Sequence, residues 1–181
     1  MNQHAFRHVI AAASVLMTVL LVSEVQTARA EKNTPSGDQK YLLKEEPKAA
    51  AEVSAVRKGA KDGDDVMVVG RIGGRKNPWI KGAAAFSIVD RSLTPCNEME
   101  GDTCPTPWDY CCEADLAKAT LLVMVHDERG KLVAKDARQL LGVKELDTVV
   151  IRGKAKRDKA GNVSVIASKL YVAPVKKETR Q

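Results

Sequence analysis

Aromatic side chains are scarce in this sequence, with two Trp, three Tyr and two Phe among 181 residues. So few rings argue against a broad stacking surface for nucleobases. Histidine is scarcer still: His4 and His8 fall in the first thirty residues, which leaves His126 alone in the remainder. A Ser-His-Asp, Cys-His or multi-histidine metal site would have to be built around that one residue, which removes most hydrolase chemistry. No G-K-[ST] ending completes the glycine-rich loop at residues 70–82, so a phosphate-loop nucleotide site is excluded. A calcium loop starting at Asp62 would need Glu at its twelfth position, where Gly73 stands. On these grounds no catalytic residue, metal or cofactor is assigned, and the chain is read as non-enzymatic.

What is present begins with an address. Arg7 precedes fourteen apolar or small residues, Val9 to Val22, and a polar stretch then ends in Ala28-Arg29-Ala30. This is the layout of a signal peptide with cleavage after Ala30. Fourteen residues at helical rise cover roughly 21 Å, short of a hydrocarbon core of about 30 Å, so a membrane anchor is the lesser reading. The mature chain carries 27 Lys+Arg against 22 Asp+Glu, a net charge of +5. It is expected to be periplasmic or secreted, monomeric, and without a membrane span after cleavage.

Residues 31–63 read as a polar linker and a short helix. Pro47 near the start and Gly59 near the end of an Ala-rich run predict a helix over Glu46–Ala60, with Ala50, Val53, Val56 and Ala60 on its apolar face. From residue 64 the pattern turns to strands. Expected strands are VMVVGRI from Asp65, AAAFSIVD (83–90), ATLLVMVHD (119–127), DTVVIRGKAKR (147–157) and NVSVIASKLYV (162–172). One or two helical turns are expected over Asp136–Leu141, and Gly161 closes the turn of the last hairpin. Val149, Ile151, Val163 and Val165 form that hairpin's expected buried side, and His126 reads as a partly exposed strand-end residue.

Five strands with a helix between the third and fourth predict an all-β chain, a five-stranded Greek-key barrel over 64–174. The segments VMVVGRIGG, AFSIVD and LDTVVIRGKAKRDKAGNVSVIASKLYV resemble those of bacterial OB-fold domains of the nucleic-acid-binding type. The whole chain is also similar to exported bacterial proteins that share the block CPTPWDYCC; that similarity implies export and supplies no activity. A basic tail, 175–181, completes the chain.

Between the second and third strands lies an insertion, 91–118, holding all four cysteines: Cys96, Cys104, Cys111 and Cys112. From Cys96 to Asp115 it has six acids and no Lys or Arg, which leaves the rest of the mature chain at +11. An even count in an exported chain predicts disulfides, each bond adding roughly 2–4 kcal/mol. A Cys111–Cys112 bond would close a strained small ring, so each is expected to reach back to Cys96 or Cys104. The spacing C-x7-C-x6-C-C lacks the C-x2-C knuckle of zinc sites, and six nearby acids oppose reactive low-pKa thiols. Trp108 is expected to pack over the barrel mouth, while Tyr110 stands between packing and ligand contact.

The candidate ligand residues are basic. Arg71, Arg75, Lys76 and Lys81 flank the loop between the first two strands, where OB barrels grip ligands, and Trp79 could stack a ring there. Lys154, Lys156 and Arg157 lie on the basic final hairpin. The expected function is binding of an anionic ligand, whether polyanion, nucleic acid or acidic protein surface. The alternatives are a metal- or thiol-dependent protein built on the four cysteines, and an envelope structural or interaction protein.

Overall fold

The computed structural model describes residues 38–174. The expected signal peptide, its cleavage after Ala30, residues 31–37 and the tail 175–181 lie outside the described residues. Among the described residues no helix is long and apolar enough to cross a membrane.

The elements run β1 (Ala51–Glu52), α1 (Val53–Gly59), β2 (Asp65–Ile72), β3 (Ala85–Val89), β4 (Thr120–Val125), α2 (Ala137–Leu141), β5 (Thr148–Arg157) and β6 (Val163–Val172). Strands β2 to β6 close on themselves in the order β2-β3-β4-β6-β5, with β5 returning to β2. Every neighbouring pair is antiparallel except β4 and β6, which run parallel. This is an OB-like Greek-key barrel, as the sequence predicts. β1 is an added parallel partner on β2, pairing Ala51 with Val68 and Glu52 with Val69.

Alternation along each strand fills the interior. Val68 and Ile72 of β2, Phe86 and Ile88 of β3, and Leu121, Val123 and Val125 of β4 all reach the core, as do Val149 and Ile151 of β5. On β6 the inward set begins with Val163, Val165 and Ala167, then changes parity to Leu170. A bulge causes the change. Arg152 pairs with Lys169 but Gly153 with Ala167, so Ser168 is the extra residue, and its hydroxyl donates to the Arg152 carbonyl at 3.0 Å. Gly153 is required there, because a Cβ would lie 2.1 Å from the Ile166 carbonyl oxygen.

The helix predicted from Glu46 is shorter than expected. It starts at Val53, because Ala49 takes a left-handed φ of 65° and Ala51–Glu52 pairs with β2 instead. Tertiary pairing outweighs the helix preference of an alanine run. Val53 and Val56 are buried in the core, as predicted, whereas Ala60 is only half-buried. Glu52 gives α1 no side-chain cap; the carboxylate of Asp90, 36 residues beyond Ser54, accepts from the Ser54 amide at 2.8 Å and from its hydroxyl. Helix α2 is capped locally: Asp136 accepts from the Arg138 amide at 2.9 Å, and Gly142 ends the helix with φ 68°. Its Ala137, Leu140 and Leu141 are buried in the barrel core.

Candidate functional site

The insertion folds as a flap whose two ends are held together. The Asp90 amide donates to the Ala119 carbonyl at 2.9 Å, next to the Val89–Thr120 pair of β3 and β4. Within the flap, the Cys96 and Asn97 amides donate to the carbonyls of Asp109 and Pro107, each at 2.9 Å, so residues 96–97 run beside 107–109. Tyr110 anchors the flap to the barrel. It is 1% exposed, and its ring lies so near Gly73 that a Cβ there would meet Cε2 at 2.9 Å. Its hydroxyl has no hydrogen-bond partner among the described residues; burial pushes its pKa up to about 12, with the Arg71 charge pulling the other way. Trp108, expected as the packing residue, is half-buried and donates its indole N–H to the Lys76 carbonyl at 3.1 Å.

Between flap and barrel lies a groove of about 690 Å³. One wall is the β2–β3 loop (Gly74, Arg75, Asn77, Pro78, Ile80) and the floor is the outer face of β3 and β4 (Ser87, Thr120, Leu122). The β5–β6 turn contributes Asn162, and the flap contributes Leu116 and Ala117. These are the strand face and the two loops with which OB barrels take oligonucleotides and oligosaccharides. Among the described residues Arg57 and Arg75 are the only charged side chains in the lining, which has no acid; Arg57 is half-buried and donates to the Thr120 carbonyl at 2.7 Å, while Arg75 is exposed. Ile80 is 47% exposed and Leu122 36%, an apolar strip in a cationic setting. A second groove, of about 870 Å³, lies across β2, β5, β6 and the β4 end; its lining mixes Asp65, Asp127 and Glu128 with Arg152, Lys154 and Lys169. His126, half-buried at the strand end as expected, sits in this second groove.

The predicted ligand residues scatter. Arg75, Lys76 and Lys81 are exposed, and among the described residues none of them is in an ion pair; Arg75 alone lines the first groove. Arg71 is turned to Glu98 of the flap at 2.7 Å. Lys154 pairs with Asp65 at 3.0 Å and Lys156 with Asp62 at 3.3 Å, both exposed pairs of small energetic weight. The Arg157 guanidinium is occupied by the backbone carbonyls of Arg57, Ala60 and Gly161 at 2.8–3.1 Å. Trp79, read as a stacking residue, is 5% exposed: its ring packs on Phe86 at 5.8 Å and its N–H donates to Glu145 at 2.6 Å. With Tyr110 also buried, neither ring offers a face to a base.

Ile80, Leu122, Asn77 and Asn162 were missed. The signal for one of them was there: LLVMV in β4 is apolar on both faces, more than a strand with one wet face needs.

Among the described residues no two cysteine sulfurs lie at disulfide distance. Cys96 Sγ lies 3.5 Å from Cys111 Sγ, beyond the roughly 2.05 Å of a disulfide. The sulfurs of Cys96, Cys104 and Cys111 all lie within 4.8 Å of one another, and Cys112 Sγ is 3.9 Å from that of Cys111. Burial pushes the Cys96 thiol up to about 11, while hydrogen bonding with Thr106 holds Cys104 below its ordinary value. No protein-family model matches the chain, and no curated protein matches it either. The likeness to exported proteins with the CPTPWDYCC block gains no support from these comparisons.

Proposed function

We propose that this chain is a non-enzymatic binding module that takes a linear polyanion in the groove between the β2–β3 loop, the β3–β4 face and the β5–β6 turn. The observation that carries the reading is the lining: two arginines and no acid, at the position where OB barrels bind oligomers. Burial of Trp79 and Tyr110 favours recognition of a charged backbone, sulfated or carboxylated saccharide or phosphate, over stacking of bases. The signal-peptide-like pattern of residues 1–30 supports action outside the cytoplasm, where acidic polysaccharide is the more available polyanion.

The test is a salt titration of binding to heparin and to a single-stranded oligonucleotide. Affinity is expected to fall linearly on a log–log plot as salt rises, with heparin bound at least as well as the oligonucleotide. Arg75→Glu is expected to weaken binding about tenfold or more and lower the salt slope by about one. Lys154→Glu, in the mixed-charge groove, leaves it nearly unchanged. Absent binding at low salt, or equal binding by Arg75→Glu, would overturn the reading.

A further inference from the structure

We propose that Cys96, Cys104 and Cys111 form a metal site for a thiolate-seeking closed-shell cation, zinc(II) or copper(I). Bonds of about 2.3 Å at tetrahedral angles hold zinc-bound sulfurs roughly 3.8 Å apart. The three sulfurs here lie within 4.8 Å of one another, with Cys96 and Cys111 at 3.5 Å, so small shifts of the side chains seat an ion among them. The spacing does without a C-x2-C knuckle because the flap's own backbone supplies the convergence. Pairing of 96–97 with 107–109 sets Cys96 beside Cys111, and the bend between carries Cys104 back to both.

Charge gives an independent argument. Of the six flap acids, Glu98 and Asp115 are paired with Arg71 and Lys118, and Glu100, Asp102, Asp109 and Glu113 are in no ion pair among the described residues. Such a field draws cations and disfavours three neighbouring thiolates unless a cation neutralises them. Cys96 is buried, Cys104 half-buried and Cys111 exposed, which gives the ion a sealed inner side and an open path of entry. Binding is a proton-for-metal exchange: each coordinating thiol gives its proton to solvent as its sulfur bonds the ion, and no electron is transferred. The site is separate from the groove, so it stands or falls apart from the polyanion reading.

The experiment uses the full chain, reduced and kept free of oxygen, then titrated with zinc, copper(I) and cobalt(II). One ion per chain is expected, with three of the four thiols protected from alkylation. Cobalt is expected to show the thiolate charge-transfer band and the visible bands of a tetrahedral site if zinc is the resident ion; copper(I) displacing zinc in direct competition assigns copper. Cys104→Ser and Cys111→Ser are expected to lose the ion, and Cys112→Ser to keep it. Cys96 is buried, so the two less buried positions carry the test, with thermal unfolding in chelator confirming that the variants fold. No uptake by the reduced chain, or uptake unaffected in Cys104→Ser and Cys111→Ser, would overturn the proposal. Loss of the ion in Cys112→Ser alone would do so too.

Discussion

Replacing Asp90 by Asn perturbs one point where helix, barrel and flap meet. The carboxylate is 1% exposed and accepts four hydrogen bonds: from the Ser54 amide at 2.8 Å and its hydroxyl, and from the Ser92 amide at 3.1 Å and its hydroxyl at 2.7 Å. Burial pushes its pKa up, but those bonds outweigh it and hold the carboxyl at about 2, against an ordinary 3.8. That difference corresponds to about 2 kcal/mol of folding free energy at neutral pH. An asparagine offers one carbonyl oxygen. Since the two backbone amides donate to different carboxylate oxygens, whichever way the amide turns, one of them faces an NH2 group. The unpaired amide adds about 1 kcal/mol, for a total loss of about 3 kcal/mol.

The pH dependence identifies the cause. A carboxyl whose folded pKa is depressed contributes fully above its unfolded pKa of 3.8, and the contribution disappears as pH falls through about 2. The gap between wild type and Asp90→Asn is therefore expected to shrink from about 3 kcal/mol at neutral pH to about 1 kcal/mol near pH 2. Urea unfolding followed by tryptophan fluorescence reads the gap, and acids common to both chains cancel in the difference. A gap below about 0.5 kcal/mol at neutral pH, or one constant down to pH 2, refutes the assignment.

Gly153→Ala is expected to lower the thermal midpoint sharply, since its methyl would stand 2.1 Å from the Ile166 carbonyl oxygen; an unchanged midpoint would mean that the bulge yields. Tyr110→Phe removes a buried hydroxyl that has no partner among the described residues and is expected to stabilise the chain by about 1 kcal/mol in denaturant unfolding, whereas a loss would reveal a partner for that oxygen. Arg157→Lys cannot satisfy the carbonyls of Arg57, Ala60 and Gly161 together and is expected to cost about 1–2 kcal/mol. Heparin affinity is expected to stay unchanged in that variant, and a selective drop in affinity would return Arg157 to the binding surface.

The barrel was legible because its strands are short alternating runs of β-branched residues, separated by glycine turns, and alternation survives in any tertiary context. The start of α1 was not legible, since an alanine run has no means of announcing that Ala51 will pair with Val68. The site was less legible than the fold. Whether a basic residue is free depends on partners far along the chain: Arg157 is held by carbonyls near residue 60, and Trp79 by Glu145. Neither separation leaves a local trace. The cysteines show the same limit from the other side, because a metal-compatible cluster at unfamiliar spacing needs the flap's backbone pairing before it can be seen.

The flap leaves and rejoins the barrel at a single hydrogen-bonded rung, Asp90 to Ala119, beside the Val89–Thr120 pair. Closing a chain across a fixed gap costs only about 0.6 kcal/mol for each doubling of its length. Insertions and deletions at the flap tip, residues 99–103, whose hydrogen bonds stay within the flap, should therefore be nearly neutral for the barrel, which makes that tip a replaceable cartridge on a scaffold indifferent to its contents.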